Sequence, residues 1–195
     1  MNSDIEKYLS FYLALVPAFT NDELEFIKPH LEFQNLEKGE YYLRQGQIQR
    51  KLAFVTKGLQ RHYYIDQKGK EITINFTYEN NFLTDYNAFI QQKATNYNIK
   101  CLEDTTVIEL HYQKIQEGYL TYKNYERFGR LIAEKVLSQR QKRIESFLFE
   151  RAETRYLNFI NKHPNLFNRI SLSHLSSYLG VERQSLSRIR KNISK

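Results

Sequence analysis

The sequence predicts an α+β fold: N-terminal helices, an antiparallel array of short strands, one long helix and a compact helical tail. Three observations carry the prediction. Between residues 33 and 112, apolar positions alternate with a period of two between turn residues. Beyond Gly118 the apolar spacing becomes helical and stays so for nearly 30 residues. The last 25 residues hold two short apolar-periodic segments joined at a single glycine, Gly180.

Residues 4–15 and 21–31 have the composition of helices. Thr20 or Asn21 caps the second, and Asp22 and Glu23 favour its first turn through the helix dipole. Acidic residues precede the short apolar stretch here and no basic segment does, so it is expected to be structural and not a secretion signal. Strand segments follow in EYYLRQ, KLAFVT, LQRHYYID, KEITINFTY, NYNIKCLE and TTVIELHY. Breaks fall at Lys38-Gly39, Gly46, Gly58 and Lys68-Gly69, and Asp66–Gly69 has the residues of a hairpin turn. Ile72, Ile74 and Phe76 are expected to point inward, as are Ile108, Leu110 and Tyr112. Short strands at this spacing predict a sandwich or barrel.

Residues 122–149 contain no proline and one glycine, enough for a single helix about 40 Å long at 1.5 Å per residue. Its apolar positions include Phe128, Ile132 and Val136, which need a cover and are the expected dimerisation residues of a homodimer. A further helix, with Ala152, Tyr156, Phe159 and Ile160 on one face, ends at Pro164.

Charge is unevenly placed. The chain of 195 residues carries a formal +7. Residues 1–119 hold 13 Lys and Arg against 16 Asp and Glu, a net −3, whereas residues 120–195 hold 16 against 6, a net +10. A basic half joined to a weakly acidic one points to a polyanionic partner for one part of the chain. No run reaches the roughly 18 apolar residues of a membrane span. One cysteine, Cys101, leaves no internal disulfide and suits a reducing cytoplasm. The five histidines never reach metal-ligand spacing. No phosphate loop or nucleophile elbow is present, so neither a metal, a cofactor nor catalysis is expected.

The basic tail has a specific pattern. In RISLSHLSSYLGVERQSLSRIRKNI, Ser171 suits an N-cap, and Leu172, Leu175, Tyr178 and Leu179 suit one buried face. Gly180 can take a positive φ, and small Ser176 leaves space where two helices cross. Leu186 and Ile189 then pack back. This is the helix-turn-helix pattern. The second helix turns Arg183, Gln184, Ser185, Ser187, Arg188 and Lys191 outward. Arginine and glutamine pair bidentately with guanine and adenine edges, and serine, lysine and arginine also hold phosphate. Ser171 and Ser173 complete the candidate contacts to double-stranded DNA.

Nearly the whole chain resembles the Crp/Fnr superfamily of bacterial transcription regulators. Gly180 to Arg190 is similar to the family's recognition region, which runs Gly, two residues, Arg, Glu, Thr, Val, any residue, Arg. Arg183, Gln184, Ser185, Leu186 and Arg188 take those places, with Gln184 where the family has glutamate. KGEYYLRQG, VTKGLQRHYYI and DQKGKEITI resemble the turns of its sensor domain. The resemblance implies a jelly-roll-like antiparallel β-roll over residues 1–121, a dimerisation helix over 122–149 and a DNA-binding domain over 150–195. It also implies RNA polymerase as a partner. Where relatives that bind cyclic AMP carry Gly-Glu and then Arg-Ser or Arg-Thr, this chain has Thr84-Asp85 and Thr95-Asn96. No arginine occurs between Arg61 and Arg127 to neutralise a cyclic phosphate. The expected effector is therefore some molecule other than cyclic AMP, or none. The alternative function is a sensor or scaffold that works through protein contacts.

Overall fold

The computed structural model describes residues 3–193. Helix α1 (Ser3–Leu15) and α2 (Asn21–Ile27) lead into β1 (Glu32–Leu36), β2 (Tyr41–Leu43), β3 (Lys51–Lys57), β4 (Leu59–Ile65), β5 (Glu71–Tyr78) and β6 (Phe82–Leu83). Then come α3 (Tyr86–Gln91), β7 (Asn98–Cys101), β8 (Thr105–His111), α4 (Tyr112–Thr121) and α5 (Lys123–Phe149). Helices α6 (Ala152–Lys162), α7 (Leu172–Leu179) and α8 (Arg183–Ile193) complete the chain. The strands form two four-stranded sheets, ordered β1-β8-β3-β6 and β2-β7-β4-β5. Pairing of β8 with β1 and β3 is antiparallel, as is that of β2 with β7. The fold is the expected α+β roll with flanking helices and one long helix.

Contacts group the chain into two compact units. The first holds the chain up to His62 together with Phe76–Lys135; the second holds Tyr63–Asn75 and the chain from Val136 onward.

In the first unit, β3 is buried on both faces, which is why its sequence is an unbroken apolar run. Ala53 and Val55 join Leu43, Leu83, Ile99 and Val107 in one cluster, and Phe54 joins the helices on the other side. That second cluster is aromatic. Tyr12 stacks on Phe128 with centroids 4.0 Å apart and planes 5° from parallel, and Phe19 meets Tyr125 edge-on at 5.0 Å. Phe128 is thus buried in its own chain's core, a correction to its expected place among the dimerisation residues. Ile132 packs against the same cluster and is half-buried.

Local chemistry sets the helix ends. Thr20 caps α2 through a capping box: its hydroxyl accepts from Glu23 N, and the Glu23 carboxylate accepts from Thr20 N at 2.8 Å. The Asn124 amide and the Tyr125 hydroxyl also bond to Glu23, tying α5 to this cap. Helical structure begins ahead of Gly118, at Tyr112. Gly118 lies buried inside α4, where a Cβ would come within 3.3 Å of the Tyr125 ring. Glycine serves close packing there.

In the second unit, Asp66 closes the β4–β5 hairpin, its carboxylate accepting from the Lys68 and Lys70 amides. On β5 the expected inward set needs correcting: Ile72 and Ile74 are half-buried, while Thr73 is 2% exposed. Thr73 N donates to the Ser177 hydroxyl at 2.9 Å, and that hydroxyl donates to the Glu71 carbonyl. Helix α7 therefore covers the threonine side of this strand end.

Candidate nucleic-acid interface and effector pocket

Helix α7 starts where Ser171 accepts a hydrogen bond from His174 N at 3.2 Å. It ends at Gly180, whose φ of +67° lies in the left-handed region. A Cβ at Gly180 would also stand 2.7 Å from the Phe147 ring, so both conformation and space require glycine. Ser176 is buried, and its hydroxyl donates to the Ser173 carbonyl, so a polar side chain is accommodated between packed helices. Leu186 is 0% exposed and anchors α8, with Leu175 and Leu179 buried beside it.

With Leu186 inward, the opposite face of α8 is fixed. Arg183, Gln184, Ser185, Ser187, Arg188 and Lys191 are all exposed, as are Ser171 and Ser173. Among the described residues, none of those six α8 side chains makes a hydrogen bond or an ion pair within the chain. Not every cation in the basic half is so placed. Arg143 lies over the Tyr178 ring at 3.7 Å and donates to the Tyr178 carbonyl; Arg155 Nε donates to the Leu179 carbonyl at 3.1 Å. These two guanidiniums satisfy the C-terminal carbonyls of α7, where the helix dipole favours positive charge. Burial lowers the Arg143 pKa from its usual value, and the Arg140 and Arg155 charges add to this against the opposing effect of Tyr178. Arg190 is half-buried over the Phe167 ring.

The expected effector residues have the opposite character. The Thr95 hydroxyl donates to the Asp85 carboxylate at 2.7 Å, with both residues buried, and accepts from Tyr97 N at 3.1 Å. The Thr84 hydroxyl donates to Gln49 Oε1 at 2.9 Å, and the Gln49 amide nitrogen donates to the Lys51 and Leu83 carbonyls. Asp85 and Thr95 are brought together, Thr84 turns to Gln49, and Asn96 is exposed. Among the described residues Asp85 makes no ion pair.

On α5, the apolar side chains most open to solvent are Leu137 at 71%, Ile144 at 54% and Leu148 at 70% exposed, with Phe149 at the helix end. Val136 is half-buried. Residues 137, 144 and 148 are spaced by seven and four, about three helical turns beyond the expected dimerisation positions Phe128, Ile132 and Val136. Not expected from the sequence are Tyr86, Tyr112 and Tyr119, which help to line a cavity beside Gly129. The available signal was that glycine, alone inside a long helix where alanine would be more favourable.

In chain order, two four-stranded sheets are followed by a long helix and a helix-turn-helix. Residues 33–122 match the sequence family described as the cyclic nucleotide-binding domain. Among solved structures, the chain is similar to FixK2 from Bradyrhizobium japonicum, at 13% identity and a TM-score of 0.75, with 84% of each chain covered. A putative regulator of the Crp/Fnr family from Eubacterium rectale shares 15% identity at a TM-score of 0.71, covering 94% of this chain and 87% of that one. The c-di-GMP responsive global regulator CLP from Xanthomonas campestris shares 14% identity at 0.67, covering 90% and 92%. No curated protein sequence matches the chain. In fold, the chain is similar to these solved regulators, and its residues 33–122 match the cyclic nucleotide-binding domain.

Proposed function

We propose that the protein is a sequence-specific DNA-binding transcription regulator of the Crp/Fnr type. The observation that carries this reading is the exposed face of α8. Six polar side chains, three of them cationic, have no partner among the described residues, on a helix anchored by a fully buried leucine. Arg183, Gln184 and Arg188 are the candidates for base edges; Ser185, Ser187, Lys191, Ser171 and Ser173 are the candidates for phosphate.

In this reading the regulator acts as a homodimer in the cytoplasm, with double-stranded DNA and RNA polymerase as its partners. Leu137, Ile144 and Leu148 form the seam, together with Val136. Two recognition helices related by a two-fold axis would read two half-sites about 34–36 Å apart. The chain regulates and does not catalyse. Its effector is not cyclic AMP, because Asp85 is bonded to Thr95 where relatives that bind this ligand need a cation for the phosphate.

Selection of genomic fragments by the purified protein tests the proposal. A recurrent, near-palindromic sequence is expected, bound at least a thousandfold more tightly than scrambled DNA and with an affinity that falls as salt rises. Retention of fragments without any shared sequence would overturn it and favour the protein-contact scaffold.

A further inference from the structure

The first unit contains a cavity of about 320 Å³ that Thr84, Asp85, Thr95 and Asn96, the residues considered for an effector, do not line. Its walls come mostly from α3, α4 and α5, with contributions from α1, α2 and the strands β3, β6 and β8. Phe89, Phe128 and Ile132 make much of the surface apolar. Five tyrosines line it: the hydroxyls of Tyr12 and Tyr125 bond to Tyr8 and to the Glu23 carbonyl, whereas among the described residues those of Tyr86, Tyr112 and Tyr119 have no hydrogen-bond partner.

Two observations separate this cavity from a packing fault. Burial pushes the Tyr119 hydroxyl up to about 12, with the neighbouring Tyr86 and Tyr112 phenols adding to the shift. The hydroxyl therefore keeps its proton and stays a donor across the physiological range. The second observation is Gly129, inside α5 and on the cavity wall. A Cβ there would lie 2.5 Å from the Tyr119 hydroxyl, so the glycine gives that hydroxyl its place. A helix-interior glycine is unfavourable relative to alanine, and here it preserves a donor beside an apolar cavity. The cations on the wall are already engaged: Lys114 pairs with Glu117 at 2.7 Å, and Arg130 pairs with Glu134. Besides Gln116 and Glu126, the polar groups of the wall without an internal partner among the described residues are the three phenol hydroxyls.

We propose that this cavity binds a largely apolar small molecule carrying a single uncharged oxygen acceptor, received by the Tyr119 hydroxyl and its two neighbouring phenols. The volume lies at the low end of the roughly 300–1,000 Å³ range of small-molecule sites, the size of a two-ring ketone. An apolar body fills the aromatic wall, and the acceptor satisfies hydroxyls that the chain leaves unpaired. The site is distinct from the Asp85–Thr95 pair, whose groups already satisfy each other.

Prodan, an environment-sensitive naphthalene ketone, is the probe. Titration into the purified full-length protein without DNA should give one saturable site per chain and blue-shifted emission. Tyr119→Phe should weaken binding roughly threefold to tenfold, the effect of one lost hydrogen bond, with circular dichroism unchanged. Ala133→Phe, which puts a ring into the cavity, should abolish binding. Leu137→Glu, outside the cavity, should leave affinity as it was. Absence of saturable binding would overturn the proposal, as would equal affinity in the wild type and Tyr119→Phe. Loss confined to Leu137→Glu would also overturn it, by placing the probe between two copies. Because no DNA is present, the outcome is independent of the regulator reading.

Discussion

The outer face of α8 and the Asp85–Thr95 pair are both rich in polar side chains, but they use them in opposite ways. On α8, Arg183, Gln184 and Arg188 are exposed and, among the described residues, make no side-chain bond. Around Asp85, the carboxylate accepts from Thr95, Thr95 accepts from Tyr97 N, and Thr84 donates to Gln49. A polar group that the fold leaves unpaired is available to a ligand; one that the fold has paired must lose that bond first. The difference predicts DNA contact at the first region and no cyclic nucleotide at the second. Similar residue types carry different functions because of who already holds them.

The largest expected effect probes the apolar counterpart of this rule, the exposed seam of α5. Replacing Leu137 and Ile144 together by Glu should convert a dimer to a monomer in sedimentation. Specific DNA affinity should fall by on the order of 100-fold or more, since two linked half-site contacts become one. A dimer that persists would move the seam elsewhere and leave the α5 stripe without a role.

Next in size are the arginines of α8. Arg183→Ala and Arg188→Ala should each lower specific affinity by about 1–3 kcal/mol and relax preference at one base pair per half-site. Mobility shifts on the selected sequence and on single-base variants check this. If both variants lose affinity equally on every sequence, α8 positions the protein without reading bases, and the contrast with the inner pair weakens. Lys191→Ala should have the smaller, sequence-independent effect of a phosphate contact, reducing the salt slope by about one.

Disturbing the inner pair should act on stability alone. Asp85→Ala leaves the buried Thr95 hydroxyl without its acceptor, a loss of about 1–3 kcal/mol. Chemical denaturation should show it, while DNA affinity of the folded variant stays within a factor of two of the wild type. A specific loss of DNA binding at unchanged stability would mean that Asp85 signals as well as packs.

Much of the fold was legible because its periodicities are clean. The two-sided apolar run of β3, the cap at Thr20, the hairpin carboxylate of Asp66 and the left-handed Gly180 each follow from local chemistry. The α8 face was legible for the same reason: with Leu186 inside, helical geometry alone decides which residues face out. Tertiary identity was not. Phe128 and Leu137 are both apolar positions on one helix, and only the aromatic cluster around Tyr12 determines that the first is buried and the second exposed. Arg143 and Arg188 contribute equally to net charge, yet one caps the carbonyl end of α7 and the other is free. The close approach of Gly118 to the Tyr125 ring leaves no sign in a single sequence.

The smallest expected effect is zero, and it is the sharpest test of the contrast between the two regions. Calorimetry with cyclic AMP should show no binding, and adding the nucleotide should not change a DNA mobility shift. To dock, a cyclic phosphate would need compensating positive charge at the start of α3, where the chain offers the Asp85 carboxylate held by Thr95. The anion would meet a like charge there, and separating the pair would expose a buried hydroxyl besides. The Thr84 side chain, bonded to Gln49, occupies the position where the resembling family has a glycine and close backbone approach. A ligand that cannot dock cannot favour one conformational state over another, so the DNA affinity has nothing to respond to. A micromolar Kd would break the comparison: a satisfied pair would then be no obstacle to a ligand, and Asp85 and Thr95 would have to separate to admit it.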